Sequence, residues 1–134
     1  MSQENVEVVR DSLQAFADGG LDAYTAFWHP EITWRAIEGA PDDVGEMRGK
    51  EMVRRYVQDW LDTFDDFSIA PEELLDLGAD HVVAVQRISG RAKLSGVETQ
   101  LRYPVIYTLR DGKIVDGREY AHRQEAIDAA GLQE

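Results

Sequence analysis

The sequence predicts an α+β domain in which helices cover one face of a curved sheet. Apolar residues recur at helical spacing through the first half of the chain, and β-branched runs separated by tight-turn dipeptides fill the second half. No Pro/Gly/Ser-rich linker lies between the halves, so the 134 residues form a single domain, 1–134. A chain of this length buries about two-thirds of its extended surface, enough for a true core.

Each element follows from local pattern. Val6, Val9, Leu13 and Phe16 share one helical face, and Gly19-Gly20 stops that helix. Leu21, Tyr24 and Phe27 form a second short stripe, ended by His29-Pro30. Residues 31–36 are β-branched and aromatic and read as a strand. Residues 38–47, with two Gly, one Pro and four carboxylates, read as a mobile loop bordering any pocket mouth. Met52, Val53, Tyr56, Val57, Trp60, Leu61 and Phe64 then occupy one wide face, the pattern of a helix laid on a sheet. Pro71 confines the strand at 67–76 to a sheet edge or a bulge. Strands at 81–93 and 99–110 make a hairpin, and Asp111-Gly112 turns the chain into a last long strand at 113–122. A short helix at 123–132 closes the chain. The predicted order is three helices around one strand, an antiparallel meander and a helical tail.

Charge and composition narrow the function. Twenty-six Asp and Glu outweigh 14 Lys and Arg, a net charge of −12 that repels phosphate backbones and anionic lipid, so neither nucleic acid nor a membrane surface is expected as partner. The absence of Cys removes disulfides, thiolate nucleophiles and cysteine metal sites. The acidic, amphipathic start lacks the pattern of a signal peptide, and no apolar run approaches the ~18 residues that span a bilayer. The expectation is a soluble cytoplasmic domain handling a small molecule or another protein.

Several stretches, in order, resemble the SnoaL-like polyketide cyclase family of the nuclear transport factor 2-like, ketosteroid isomerase-like superfamily. They are Phe27 to Trp34 (FWHPEITW), Arg48-Gly49-Lys50, Glu73 to Gly78 (ELLDLG), Ser89-Gly90-Arg91 with Ser95 to Glu98, Arg110 to Ile114 (RDGKI), Arg118-Glu119-Tyr120 and Glu125 to Leu132. The resemblance implies a cone-shaped domain whose helices close a sheet over a central pocket, commonly as a homodimer. Because that superfamily includes enzymes and binding modules alike, fold alone does not choose between them.

Glu119 is the candidate catalytic residue. Period-two alternation puts Val115, Gly117, Glu119 and Ala121 on one face of the last strand, and Ile114, Asp116, Arg118, Tyr120 and His122 on the other. One carboxyl group among small and apolar neighbours has room for a ligand beside it and a desolvated charge. The resemblance places Glu119 where SnoaL-type cyclases carry an acid/base Asp. The competing role is structural, an interior Glu paired with an Arg. The two roles predict opposite pKa shifts, upward from the ~4.3 of free Glu if it stands alone and downward if an Arg pairs with it.

Other candidates are weaker. The resemblance puts Val105 where those cyclases carry a His, and Val can neither donate nor accept a proton; it puts Arg35 where ketosteroid isomerase carries its base. Arg35 and Arg87 are the cations that would stabilise an enolate, Arg87 because it follows Val83 and Val85 at strand spacing; a solvated or interfacial Arg87 is the other reading. Trp34, Tyr56, Trp60, Tyr103, Val105 and Tyr107 are expected as pocket wall or core. His29 reads as a helix cap, His81 as an exposed turn residue and His122 as a surface residue, and no metal-ligand spacing appears. Two functions therefore remain: a cofactor-independent cyclase or isomerase moving protons α to the carbonyl of a small hydrophobic ligand, or a non-catalytic ligand-binding or dimerisation module. A homodimer is expected through the outer sheet face at Arg102, Ile106, Thr108 and Tyr120, which this reading leaves without a covering helix.

Overall fold

Six strands make one mixed sheet in the order β2-β1-β6-β5-β4-β3. The structure, a computed structural model, describes residues 2–132. Along the chain come α1 (Ser2–Thr25), β1 (Trp28–Arg35), β2 (Glu46–Arg48), α2 (Lys50–Asp62), β3 (Phe64–Gly78), β4 (His81–Ala92), β5 (Glu98–Arg110), β6 (Lys113–Glu119) and α3 (Arg123–Leu132). β1 and β6 run parallel, and every other neighbouring pair is antiparallel. The α+β class holds. Helices α1 and α2 bury the inner sheet face, where Val9, Leu13, Val53, Trp28, Ile32, Ala84, Val105 and Tyr107 form the main core.

The two N-terminal helices expected on either side of Gly19-Gly20 abut as one element, broken only at Gly20 (φ 79, ψ −164). Glycine alone takes that backbone without a steric penalty. The helix expected to run to Phe27 ends at Thr25, and Trp28 already pairs with Ile114 in the sheet. His29-Pro30 therefore lies in a bulge of β1, not at a helix end, and His29 Nδ1 accepts the Glu31 N–H at 3.0 Å. Pro71 sits in β3, an edge strand, beside a register shift before Glu73. Asp111 and Gly112 both take positive φ (51 and 76), as a two-residue hairpin turn matching strand twist requires.

β6 carries a second bulge. Ile114 faces Leu109 and Asp116 faces Thr108, so Val115 is an extra residue that shifts the alternation by one. Ile114 consequently joins the inner core, although unbroken alternation sets it on the face opposite Glu119. After the bulge, Gly117 and Glu119 face Tyr107 and Val105 on the inner side. Gly117 is required by contact: a Cβ there would lie 2.1 Å from the Trp34 ring, which rests on the glycine.

The outer face is not left bare. α3 packs across it, with Ala126 and Ala130 against Val83 and Ile106 in a second core cluster that Tyr120 flanks. Ile106, expected at a dimer surface, is 1% exposed beneath this helix. His81, expected to be exposed, is buried, and its Nδ1 meets Thr108 Oγ1 at 2.9 Å.

Candidate functional site

Three elements bring polar groups to Glu119. It ends β6, two residues after the glycine that admits the Trp34 ring, and the parallel pairing of Trp34 with Gly117 sets the indole beside the carboxyl group. Trp34 Nε1 donates to Glu119 Oε2 at 2.8 Å. Tyr56, on the inner face of α2, donates its hydroxyl to the same oxygen at 2.8 Å. Oε1 accepts no hydrogen bond among the described residues. Burial pushes the Glu119 carboxyl up to about 7, against the pull of the Trp34 and Tyr56 hydrogen bonds, while the Asp42 charge adds to the rise. No ion pair among the described residues includes Glu119.

The Tyr56 hydroxyl, whose one proton goes to Glu119, also lies 3.2 Å from Asp42 Oδ2, and that oxygen accepts Trp60 Nε1 at 2.9 Å. Asp42 belongs to the acidic loop between β1 and β2, so α2 ties that loop down over Glu119. Its neighbour Asp43 accepts the Gly39 and Gly45 N–H groups at 2.8 and 2.9 Å, which hold its carboxyl below the ordinary range.

Beneath Glu119 lies a small void of about 40 Å³, walled by Trp34, Tyr56, Trp60, Tyr103 and Gln86 among others. That is room for one or two waters. Outside it runs a groove of about 880 Å³ between the loop, α2 and β5, in the size range of small-molecule sites. Val44, Met52 and Leu101 line the groove and are 68%, 48% and 39% exposed, an apolar surface open to solvent. Tyr56, Trp60, Tyr103 and Glu119 line both spaces, so the carboxyl group stands at their junction.

The other candidates fall elsewhere. Val105 faces Glu119 across the β5–β6 ladder, but it and Tyr107 are fully buried behind the cavity wall and line neither space. Arg87 is on the outer face, where Glu72 lies 3.8 Å from it and also takes a bidentate pair from Arg102. Val83 and Val85 do share its side of the strand, yet that side is the outer face, where Val83 packs under α3. Arg35 meets Asp43 at 3.7 Å. Neither arginine reaches Glu119.

Sequence reasoning missed Asp42, Gln86 and Tyr24. Gln86 had a signal: it alternates with Val82, Ala84 and Ile88 as one polar side chain on an apolar strand face, the pattern that marked Glu119. It joins a chain of hydroxyls, buried at Tyr24 and Tyr107 and half-buried at Tyr103. Tyr24 Oη and Tyr107 Oη are 2.8 Å apart, Tyr107 donates to Gln86 Oε1, and Gln86 Nε2 donates to Tyr103 Oη at 3.4 Å. Burial, foremost, pushes all three tyrosines well above their ordinary range, so they keep their protons. Among the described residues no three His, Asp or Glu side chains converge as metal ligands, and no helix is long and apolar enough to cross a membrane.

The family model of the SnoaL-like domain matches residues 9–117. No curated protein matches the chain. Among solved structures, an NTF2-like protein from Burkholderia thailandensis E264 is 25% identical, with 97% of this chain and 98% of that one covered and a TM-score of 0.75. TerC, co-crystallised with polyporic acid, is 22% identical over 93% of this chain and 98% of its own, with a TM-score of 0.74. Bal32a, from a soil-derived mobile gene cassette, is 19% identical over 96% of both chains, with a TM-score of 0.77.

Proposed function

The chain belongs to the SnoaL-like domain family, and from that premise we propose that it binds a small hydrophobic ketone in the groove and moves a proton α to the carbonyl with Glu119. The observation that carries this reading is a carboxyl group with no counter-cation among the described residues, titrating near neutrality where an apolar groove meets the interior. A base works best with a pKa close to the working pH. Trp34 and Tyr56 hold Oε2, leaving Oε1 to take the α-proton and return it at another carbon. No cofactor is required, since only a proton moves. Ring closure of the aldol type and double-bond isomerisation both begin with this step. TerC, crystallised with polyporic acid, supports a small organic ligand for this fold.

The test is exchange of α-protons for deuterium in a panel of bicyclic and polycyclic ketones. Wild type should accelerate exchange, and Glu119→Gln should abolish the acceleration while keeping ligand affinity. Unaltered exchange in Glu119→Gln would overturn the assignment.

A second reading is a non-catalytic binder. It is favoured by Val105, which leaves Glu119 without a proton-carrying partner across the ladder. Ligand-induced melting shifts with no exchange in any ketone would select it. Either version is proposed to act as a homodimer, through the part of the outer face that α3 leaves open around Arg87 and Arg102.

A further inference from the structure

Tyr56 stands between two carboxyl groups and has one proton to give. Its hydroxyl is 2.8 Å from Glu119 Oε2 and 3.2 Å from Asp42 Oδ2, so the shorter contact goes to Glu119. Burial, foremost, and the Glu119 charge push the hydroxyl well above its ordinary range, so the tyrosine keeps that proton. It can change acceptor but not ionise. A hydrogen bond to a charged acceptor is roughly twice as strong as one to a neutral acceptor. An ionised Glu119 therefore holds the donor against Asp42, and a neutral Glu119 does not. Asp42 belongs to the β1–β2 loop, whose Pro41 and Val44 wall the groove. Among the described residues, its other tie to α2 is the 2.9 Å bond from Trp60 Nε1.

We propose that Tyr56 is a switch between these two carboxyl groups, so that the charge on Glu119 sets how firmly the β1–β2 loop is held over the groove. Its place in turnover rests on the proton-transfer reading above, whereas the switch itself needs no ligand. With Glu119 ionised, Tyr56 donates to it, Trp60 alone holds Asp42, and the loop can open to admit a ligand. When Oε1 takes the α-proton, the C–H electron pair stays with the substrate as the enolate and the carboxyl group becomes neutral. Tyr56 then turns its O–H to Asp42, still keeping its own proton, and the loop is held at two points. Water is shut out while the enolate exists. Return of the proton to carbon restores the carboxylate, draws Tyr56 back and frees the loop for release. The other groups facing the site do not duplicate this. Tyr24 of α1 and Tyr103 and Tyr107 of β5 keep their protons, and β4 adds only the neutral Gln86. Arg35 of β1 meets Asp43, while Arg55 of α2 and Arg102 of β5, farther out in the groove, meet Glu51 and Glu72. Asp59 of α2 lines the groove but bonds to neither Tyr56 nor the loop among the described residues.

Limited proteolysis of the protein without ligand tests the switch between about pH 5.5 and 8.5, on either side of the Glu119 titration. Each rate is divided by that of a free peptide of residues 36–46, which removes the pH dependence of the protease. Cuts count only where low urea leaves their rate unchanged, the mark of local opening. In wild type, cutting in the loop should rise roughly threefold to tenfold as pH passes through about 7, the worth of one hydrogen bond. Tyr56→Phe, which removes the donor and leaves both carboxyl groups, should be cut at the faster rate at every pH. Glu119→Gln should be cut at the slower rate at every pH. Plain repulsion between the Glu119 and Asp42 charges would also loosen the loop as pH rises, but it survives in Tyr56→Phe and weakens in salt. The wild-type slope should persist at about 1 M salt, where charges are screened beyond roughly 3 Å. No slope in wild type, a slope retained in Tyr56→Phe, or a slope abolished by salt would each overturn the proposal. Ketone exchange that Glu119→Gln abolishes, with no loop slope in wild type, would keep the base and overturn the switch. A loop slope with no ketone exchange would support the switch and overturn the proton-transfer reading.

Discussion

At Glu119 a single carboxyl group makes stability depend on pH in an unusual sense. Its folded pKa of about 7 lies above the value of free Glu. The native state therefore holds a proton that the unfolded chain has lost, and stability falls as pH rises from about 4.5 through about 7. The loss is on the order of 2–3 kcal/mol across that window. Glu119→Gln should remove this slope, so that chemical-denaturation midpoints of the two proteins converge at low pH and the variant leads at pH 8. An Arg-paired Glu would give the opposite trend, with Glu119→Gln less stable near pH 8. Catalysis should run the other way: as a base, Glu119 should give an exchange rate that climbs through about pH 7, read from initial rates between pH 5 and 9. Glu119 was legible in sequence because one carboxylate among Gly, Ala and Val is conspicuous. Arg87 misled because apolar neighbours identify a buried face without saying which of two cores it faces.

Between elements, the contact of β1 with β6 governs the site. Gly117→Ala would drive a methyl group into the Trp34 ring, 2.1 Å from the nearest carbon. Overpacking of this kind costs about 1–3 kcal/mol. It should also shift Trp34 from Glu119 Oε2, so a lower melting temperature should come with altered tryptophan fluorescence and a changed pH–rate midpoint. The loop between β1 and β2 is fastened from within by Asp43 and to α2 by Asp42. Asp43→Ala, which leaves the Gly39 and Gly45 N–H groups without their acceptor, should speed limited proteolysis at residues 36–45. Composition marked this segment as a loop, but acidic residues do not announce which of them accept bonds. The long face of α2 and the Asp111-Gly112 turn were readable because periodicity and turn chemistry are local. β2 and the start of β1 were not. Three residues carry no period, and the pairing of Trp28 with Ile114 is a contact across most of the chain.

For the whole molecule, the outer face is divided between α3 and an exposed charged cluster. α3 buries Ile106 and Val83, while the Glu72–Arg87–Arg102 cluster stays at the surface. Sedimentation at tens of micromolar should give a dimer, twice the 15.1 kDa of one chain, and Arg102→Glu, which breaks the Glu72–Arg102 pair within the chain and reverses a charge on the proposed interface, should weaken it. A monomer under these conditions would restrict α3 to completing the single-chain core. α3 itself was legible as an amphipathic tail with Ala126 and Ala130 on one side, but which sheet face it would choose was not written in its own residues. The order of short family-like stretches foretold the architecture, because a shared fold constrains their sequence.

The extra residue at Val115 works as a phase shifter in the strand. Upstream of it even-numbered side chains point inward, and downstream odd-numbered ones do, which is why the carboxyl group and not Arg118 lines the void and the groove. Chain length on the two sides of that point is therefore not equivalent. Deleting Val115 should flatten the ladder yet keep Glu119 opposite Val105, whereas deleting Arg118 should turn the carboxylate outward. The first variant should retain the slope of stability with pH and the second should lose it, although each is one residue shorter.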